Sequence, residues 1–226
     1  MKLKYDIGII GGGPAAIFAA YECVLKYPQL KVIMIEEGHE IKKRSCPISQ
    51  GKVKQCISCN PCNIMRGFGG AGAFSDGKYN FTTEFGGWLT EYLTEQEVVE
   101  LIDYVDELNL RQGAPAEYFT TKNSKISGQA LRYDLHLLSA KVRHLGTENN
   151  LKIMEHIYEA LLNKITMLFD TKVEDIEHNG EFRLLTNSKT EPSISCDYVI
   201  AAPGRAGAEW FSDQCQKLGL NLINNQ

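Results

Sequence analysis

Three consecutive glycines, Gly11 to Gly13, follow the apolar run YDIGII near the start of the chain. Gly11 permits a tight turn, and Gly13 lets the backbone approach a pyrophosphate whose charge is met by the N-terminus of the next helix. Glu36 ends the second apolar run, KVIMIE. A carboxylate at this position accepts hydrogen bonds from ribose hydroxyls and disfavours a 2′-phosphate. These residues therefore predict a dinucleotide site and argue against NADP as its occupant.

A second group of reactive side chains consists of four cysteines between positions 46 and 62. Cys56, Cys59 and Cys62 have the C-x2-C-x2-C spacing that begins a bacterial ferredoxin-type run, and Cys46 is a candidate fourth ligand that lies upstream rather than downstream. A tetrahedral zinc site is a second interpretation, a redox-active disulfide a third, and inert thiols on a loop a fourth. In a cytosolic protein such a cluster is more typical of metal binding or redox chemistry than of structural disulfides.

The elements that flank the glycines have the order of a βαβ unit. Both apolar runs are typical of buried parallel strands. Pro14 begins the intervening helix, where its fixed φ and missing N–H cost nothing, and Ala16 is small enough for close packing of that helix on the sheet. The glycine motif thus lies between a strand and a helix of a βαβ unit, which is the context that a dinucleotide-binding motif requires. A glycine-rich turn that packs strand against helix without a ligand is the alternative.

A glycine-rich stretch, RGFGGAGAFSDGKYNF, occupies residues 66–81. Its glycines would let the backbone come close to a flat ring or a phosphate. Ser75 and Asp76 offer hydrogen bonds, and Lys78 offers a cation. Arg44, which precedes this stretch, would contact either a pyrophosphate or the loop itself. A surface turn without ligand contacts is the alternative interpretation.

The remaining sequence predicts an insertion followed by a return to strands. Thr94 to Glu97 form a capping box that opens a helix to about Asn109, and further helices are predicted at 129–145 and 151–164. Residues 168–186 read as strands around an Asn179-Gly180 turn, a hairpin signal. The predicted regions are an N-terminal βαβ unit with the Cys-rich and Gly-rich loops (1–81), a helical insertion (82–165), and a β-meander with the second part of the nucleotide-binding domain (166–226).

Two motifs, one in the glycine-rich stretch and one at residues 198–204, carry a resemblance to known flavoproteins. Gly69 to Lys78, GGAGAFSDGK, match the signature of a family of uncharacterised FAD-dependent, NAD-utilising dehydrogenases, which the chain resembles from about residue 4 to 220. The run YVIAAPG resembles the strand that ends in Ala-Thr-Gly after the β-meander of flavoproteins with two dinucleotide-binding domains. Pro203 replaces the threonine of that pattern, which removes a hydroxyl and a backbone N–H.

The resemblance implies an α/β, FAD/NAD(P)-binding Rossmann-like fold with a central parallel sheet, a β-meander and a helical insertion. It implies FAD as the cofactor, with hydride transfer between the flavin and either an unknown substrate or NAD(P)H. It also implies that the backbone of Val173 contacts the adenine. With a flavin as the ligand, the Lys78 cation is expected to face its N1 and C2 carbonyl. The expected cofactor-binding residues are Gly11, Gly13, Pro14, Ala15, Ala16, Glu36, Glu37, Arg44, Gly69, Gly70, Ala71, Gly72, Ser75, Asp76, Lys78, Val173, Ala202 and Gly204.

Members of the family are about twice as long and complete their FAD domain with a terminal strand ending in Gly-Asp, which this sequence lacks. The resemblance therefore implies a truncated form whose FAD site is weak or incomplete. A nucleotide-binding module without catalysis and an iron–sulfur electron-transfer protein are the alternatives from other functional classes. The residues identify no catalytic acid or base.

Composition excludes several other classes of protein. The 226 residues include 43% hydrophobic and 23% charged residues, which is ordinary for a globular protein. The formal charge of −4 gives no reason to expect nucleic-acid or anionic-membrane binding. There is no apolar stretch of about 20 residues that could span a bilayer and no signal peptide ahead of the first strand. The sequence therefore predicts a cytoplasmic protein with a small-molecule substrate or electron acceptor.

Overall fold

The computed structural model describes residues 4–223, which contain nine strands and five α-helices. Two compact units divide the chain. The first comprises the residues up to Ala73 and those from Ile157 onward, and the second comprises Phe74–His156. In chain order the elements are β1 (Lys4–Ile10), α1 (Pro14–Lys26), β2 (Val32–Ile35), β3 (Lys78–Asn80), α2 (Glu95–Arg111), β4 (Phe119–Thr120), α3 (Ser124–Leu131), β5 (Lys141–His144), α4 (Thr147–Leu161), β6 (Thr166–Leu168), β7 (Val173–His178), β8 (Phe182–Thr186), β9 (Ser193–Ala201) and α5 (Ala208–Lys217).

The first unit is built on a six-stranded sheet with the order β6-β2-β1-β9-β8-β7. Strands β6, β2, β1 and β9 run parallel, whereas β7, β8 and β9 form an antiparallel meander. Ile10 lies opposite Ile35 on one side and Ala201 on the other, so three parallel strands end at the same edge. The α/β fold class with a central parallel sheet and a β-meander is thereby confirmed, as is the hairpin around Gly180.

Burial in the parallel part of the sheet is greatest in β2 and at the end of β1, as expected where helices and loops cover both faces of a sheet. All four residues of β2 are buried, and Ile9 and Ile10 of β1 are buried beside them. The small residues of α1 allow that helix to approach the sheet, since Ala16 and Ala20 are fully buried. This packing holds the carboxyl ends of β1 and β2 in a fixed position, which is where the candidate site lies.

The second unit combines helices with a small antiparallel sheet of order β3-β5-β4. Helix α2 begins at the predicted capping box, in which Thr94 and Glu97 exchange both hydrogen bonds. The prediction of a helix over 129–145 was wrong: α3 ends at Leu131, and residues 141–144 form β5. Strand β5 pairs with both β3 and β4, and its Arg143 binds Asp106 of α2 at 2.6 Å. These tertiary contacts override the local preference for helix.

Over the part of the chain that the structure describes, the helices are too short or too polar to cross a bilayer.

Candidate nucleotide-binding site

The three glycines after β1 differ in what the fold requires of them. Gly11 has φ +107°, and a Cβ there would lie 2.3 Å from the Ala202 carbonyl oxygen, so only glycine fits. At Gly12 a Cβ would lie 3.0 Å from Oε2 of Glu36. Gly13 has φ −80°, and a Cβ there would meet no described atom within 4 Å. The protein itself therefore does not need glycine at position 13, which borders an open cavity.

Helix α1 begins directly at this cavity. Gly13 is its N-cap and supplies no side-chain hydrogen bond, Pro14 is its first residue, and its first turn contains no acidic residue. The first N–H groups of a helix have no intrahelical partner and carry the positive end of the helix dipole. Of these, Pro14 has none, and the amides of Ala15 and Ala16 remain to bind an anion. The helix start is thus suited to a phosphate group.

Glu36 is 6% exposed and uses its two carboxylate oxygens differently. Oε1 accepts hydrogen bonds from the backbone amides of Gly38 (2.8 Å) and Gly67 (2.9 Å). Oε2 lies beside Gly12 and accepts no hydrogen bond from residues 4–223. The carboxylate therefore fixes the loop at Gly67 with one oxygen and leaves the other available to a ligand.

The glycine-rich loop returns to the β1–α1 turn. The Gly69 amide donates to the Gly12 carbonyl at 2.8 Å. Gly67 has φ +109°, and a Cβ there would lie 2.6 Å from the His39 carbonyl oxygen. A Cβ at Gly70 would lie 3.2 Å from Cα of Gly13. Glycines therefore allow the loop backbone to approach the helix start, and Gly70, Ala71 and Gly72 form one wall of the cavity.

Arg44 is buried behind this loop. Its guanidinium donates to the carbonyl oxygens of Asn63 (2.9 Å), Ile64 (2.8 Å) and Phe68 (2.6 Å). Burial lowers the pKa of Arg44 to about 10, and the nearby Glu36 carboxylate opposes that shift. Of the two roles expected for Arg44, these contacts correspond to holding the loop.

The cavity enclosed by these elements has a volume of about 460 Å³. Its walls are the glycine turn, Glu36 and Glu37, the loop at 65–67 and 70–72, and residues 202–206 at the end of β9. A smaller cavity of about 120 Å³ shares Gly11, Glu36, Glu37 and Arg66 with it. Val173 and Trp210 line that second space, and the Trp210 indole donates to the Glu174 carbonyl at 2.8 Å. The two cavities are therefore adjacent and together constitute the candidate site.

Two cations of this site could not be assigned from the sequence. Arg66 lines both cavities and forms a two-point ion pair with Glu37, at 2.9 and 3.3 Å. Arg205 is exposed, lines the larger cavity and follows Gly204, which has φ +66°. The only available signal was their position next to the Gly-rich loop and the Pro-Gly turn.

Three of the expected cofactor-binding residues lie in the second unit. The Ser75 hydroxyl accepts from the Gly77 amide at 3.2 Å, and Asp76 accepts from the Thr147 hydroxyl at 2.9 Å. Lys78 is exposed and lies opposite His144 in the β3–β5 pair. The bonds of Ser75 and Asp76 stabilise a turn around Gly77, and the role of all three side chains at a flavin stays a prediction.

The cysteine-rich loop belongs to the first unit. Cys46, Cys56, Cys59 and Cys62 are free thiols that line a common cavity of about 210 Å³. Among the described residues, no three His, Cys, Asp or Glu side chains converge as they would around a single metal ion. Cys23, Cys196 and Cys215 are buried elsewhere, and burial raises the pKa of Cys196 to about 11. The four loop cysteines are therefore the accessible thiols of this unit.

No family model matches the chain. An uncharacterized protein of Clostridium beijerinckii is 28% identical over 210 residues, which is 93% of this chain and 33% of that protein. The chain thus spans about a third of the length of this curated relative. Among solved structures, Thermovibrio ammonificans THI4 is similar over 96% of this chain and 63% of its own, with 16% identity and a TM-score of 0.50. L-amino acid deaminase from Proteus vulgaris is similar over 98% of this chain and 52% of its own, with 14% identity and a TM-score of 0.49. The similarity to THI4 concerns the fold alone.

Proposed function

We propose that the first unit binds FAD and that the protein is an FAD-dependent oxidoreductase. The observation that carries this proposal is the pairing of Gly13 with Glu36 along one cavity. Gly13 leaves open space at a helix N-terminus, and Glu36 has a carboxylate oxygen to spare. The helix N-terminus is suited to bind the pyrophosphate of an adenosine diphosphate, and the carboxylate oxygen is suited to bind its ribose.

The proposed orientation follows from the charges of the site. The pyrophosphate would lie against Gly13 and the amides of Ala15 and Ala16, with Arg205 as an accessible cation. Oε2 of Glu36 would accept from the adenosine ribose hydroxyls. The smaller cavity beside Val173 and Trp210 would receive the adenine. A ribose 2′-phosphate would meet the buried Glu36 carboxylate, which disfavours NADP at this position.

FAD rather than NAD is proposed for this site for two reasons. The sequence resembles FAD-dependent dehydrogenases over the GGAGAFSDGK signature, and the meander between β6 and β9 has the place that such flavoproteins give it. When bound, the flavin would supply hydride acceptance and donation, with a small-molecule substrate or NAD(P)H as the partner. The chain's own residues would bind and orient the cofactor.

A nucleotide-binding module without catalysis is the second candidate. Among the described residues that line the two cavities, the ionisable side chains are Glu36, Glu37, Arg66, Lys172 and Arg205. None of these is a histidine, the side chain that most often acts as a general acid or base near neutral pH. Of the two carboxylates, Glu37 is paired with Arg66, and Glu36 holds the loop amides of Gly38 and Gly67. This lining favours binding over chemistry by side chains of the first unit.

Calorimetric titration of the 226-residue protein with FAD, ADP, FMN and NAD would distinguish the candidates. The FAD proposal predicts that FAD binds more tightly than ADP and that FMN, which lacks the adenosine half, does not bind measurably. Oxidation of NADH or NADPH by the FAD-loaded protein would then test the oxidoreductase activity. Equal affinities for FAD, NAD and ADP, with no turnover, would instead support the nucleotide-binding module.

A further inference from the structure

The cysteine-rich loop between Ser45 and Ile64 contributes no residue to the lining of the two cavities of the nucleotide site. Its four cysteines line one cavity, and the other lining residues include Pro47, Ile48, Val53, Ile57 and Ile64. No carboxylate, imidazole or amine belongs to that lining. Thiols are therefore the metal-binding groups at this cavity, and an apolar surface surrounds them. Thiolates select Cu(I), zinc and iron–sulfur clusters, and the C-x2-C-x2-C spacing indicates an iron–sulfur cluster or zinc among these.

The size of the cavity favours the larger of these two occupants, an iron–sulfur cluster. A tetrahedral zinc lies about 2.3 Å from each sulfur, so four ligating sulfurs would be about 3.8 Å from one another with no space between them. The four cysteines here border about 210 Å³, and no three ligands converge on a point within residues 4–223. An iron–sulfur cluster contributes its own iron and sulfide atoms and needs a volume between its ligands.

The two ends of the loop are fixed to one another. Nδ2 of Asn63 donates to the Ser45 carbonyl at 3.0 Å, and Arg44 donates to the carbonyls of Asn63 and Ile64. The Cys46 carbonyl accepts from the Gln50 amide, and the Cys62 carbonyl accepts from the Met65 and Arg66 amides. Cys46 and Cys62 are thereby held on defined backbone before any ligand binds.

The segment between these ends is held much less. In the described structure, residues 53–61 make no backbone–backbone hydrogen bond. Ile57 is 60% exposed, and the Ser58 amide contacts the Cys56 sulfur at 3.4 Å. Ligation through Cys56 and Cys59 would supply the fixed contacts that the backbone of this segment lacks, because bound metal contributes folding free energy to metal-binding loops.

We infer that the cavity lined by Cys46, Cys56, Cys59 and Cys62 binds an iron–sulfur cluster. The cluster site lies near the nucleotide site, since Met65 and Arg66 line the larger cavity and at most about 14 Å of extended chain separates Cys62 from Arg66. The inference does not depend on FAD binding, because its ligands and its cavity are separate from Gly13 and Glu36.

The test is anaerobic reconstitution of the 226-residue protein with ferrous iron and sulfide, followed by gel filtration and analysis of iron and acid-labile sulfide. We expect about two or four irons per chain with an equal amount of sulfide, and charge-transfer absorption in the visible range. Each of C46S, C56S, C59S and C62S is expected to lower the bound iron at least about tenfold, since loss of even an outer-shell partner costs that much. Cys23→Ala, which removes a buried thiol outside the loop, is the matched control and keeps its iron.

Circular dichroism on every sample separates ligand loss from unfolding. Wild-type protein that is folded but holds no iron and sulfide would overturn the inference. So would binding of zinc by the four thiols with no uptake of sulfide and iron. Iron uptake that survives all four substitutions would also overturn it, because the metal would then be bound elsewhere.

Discussion

Replacement of Gly13 by alanine separates ligand binding from folding more cleanly than any other substitution in the site. The residue has φ −80°, which alanine adopts without strain, and an added Cβ meets no described atom within 4 Å. Loss of unfolded-state entropy would stabilise the variant by about 0.4–1 kcal/mol. The weaker preference of alanine for the N-cap opposes this by a similar amount. We therefore expect the free energy of unfolding to change by less than about 1 kcal/mol.

The effect on binding is expected to be much larger. The new methyl group would occupy the space next to the first amides of α1, where the pyrophosphate is proposed to lie. Steric overpacking of this kind costs about 1–3 kcal/mol, which corresponds to a 5- to 150-fold rise in the dissociation constant for FAD. Calorimetric titration with FAD measures the affinity, and urea denaturation measures the stability.

Two other glycine-to-alanine variants serve as controls for this experiment. Gly128→Ala adds the same methyl group in α3, where no described atom lies within 4 Å of it, and should leave FAD affinity unchanged. Gly11→Ala should instead destabilise the fold by at least about 2 kcal/mol, because that residue has φ +107° and faces the Ala202 carbonyl. Wild-type FAD affinity in Gly13→Ala would refute the assignment of the pyrophosphate to this turn.

Three further predictions concern Glu36, Arg44 and Cys196. Glu36→Gln keeps a carbonyl oxygen that can accept from the Gly38 and Gly67 amides but replaces Oε2 by an amide NH2 group, which cannot accept a hydrogen bond from ribose. FAD affinity should therefore fall by about 1.5–3 kcal/mol with little loss of stability. Unchanged affinity would remove Glu36 from the ribose site. Arg44→Met leaves three carbonyl oxygens without their hydrogen-bond donor. We expect urea titrations to show a free energy of unfolding that is lower by about 3–5 kcal/mol. A change below about 1 kcal/mol would contradict the role of Arg44 in holding the glycine-rich loop. Burial raises the pKa of Cys196 from 9.0 to about 11, so the thiol ionises at lower pH in the unfolded chain than in the folded one. The free energy of unfolding should therefore fall by about 2 kcal/mol as the pH rises from 9 to 11. Cys196→Ala should lack that part of the pH dependence, and parallel curves of stability against pH for the two proteins would contradict it.

The local part of the site could be predicted because short-range rules determine it. A buried strand, a glycine turn and a helix that opens with Pro14 follow from neighbouring residues, and Glu36 ends the next strand. That Glu36 also fixes the glycine-rich loop could not be predicted, because its second backbone partner, Gly67, lies 31 residues away in the sequence. For the same reason, the positions of Arg66 and Arg205 in the lining of the cavity could not be predicted from the sequence. Only the folded chain brings these segments together.

The second unit shows the limit of pattern reasoning. The capping box at Thr94 specified the start of α2 because its hydrogen bonds are local. Residues 141–144 were expected to be helical, but they pair with two strands and carry the buried Arg143 that binds Asp106, 37 residues earlier. Partners so distant in sequence leave no periodic signal, so this strand could be found only from the structure.

The most direct test of the central proposal is retention of flavin by the purified protein. The protein is incubated with excess FAD and passed through gel filtration, and the absorption spectrum of the protein peak is then recorded. We predict the visible bands of oxidised flavin at about one FAD per chain, released on denaturation and strongly reduced in Gly13→Ala. A colourless peak from folded wild-type protein would contradict FAD binding by this site.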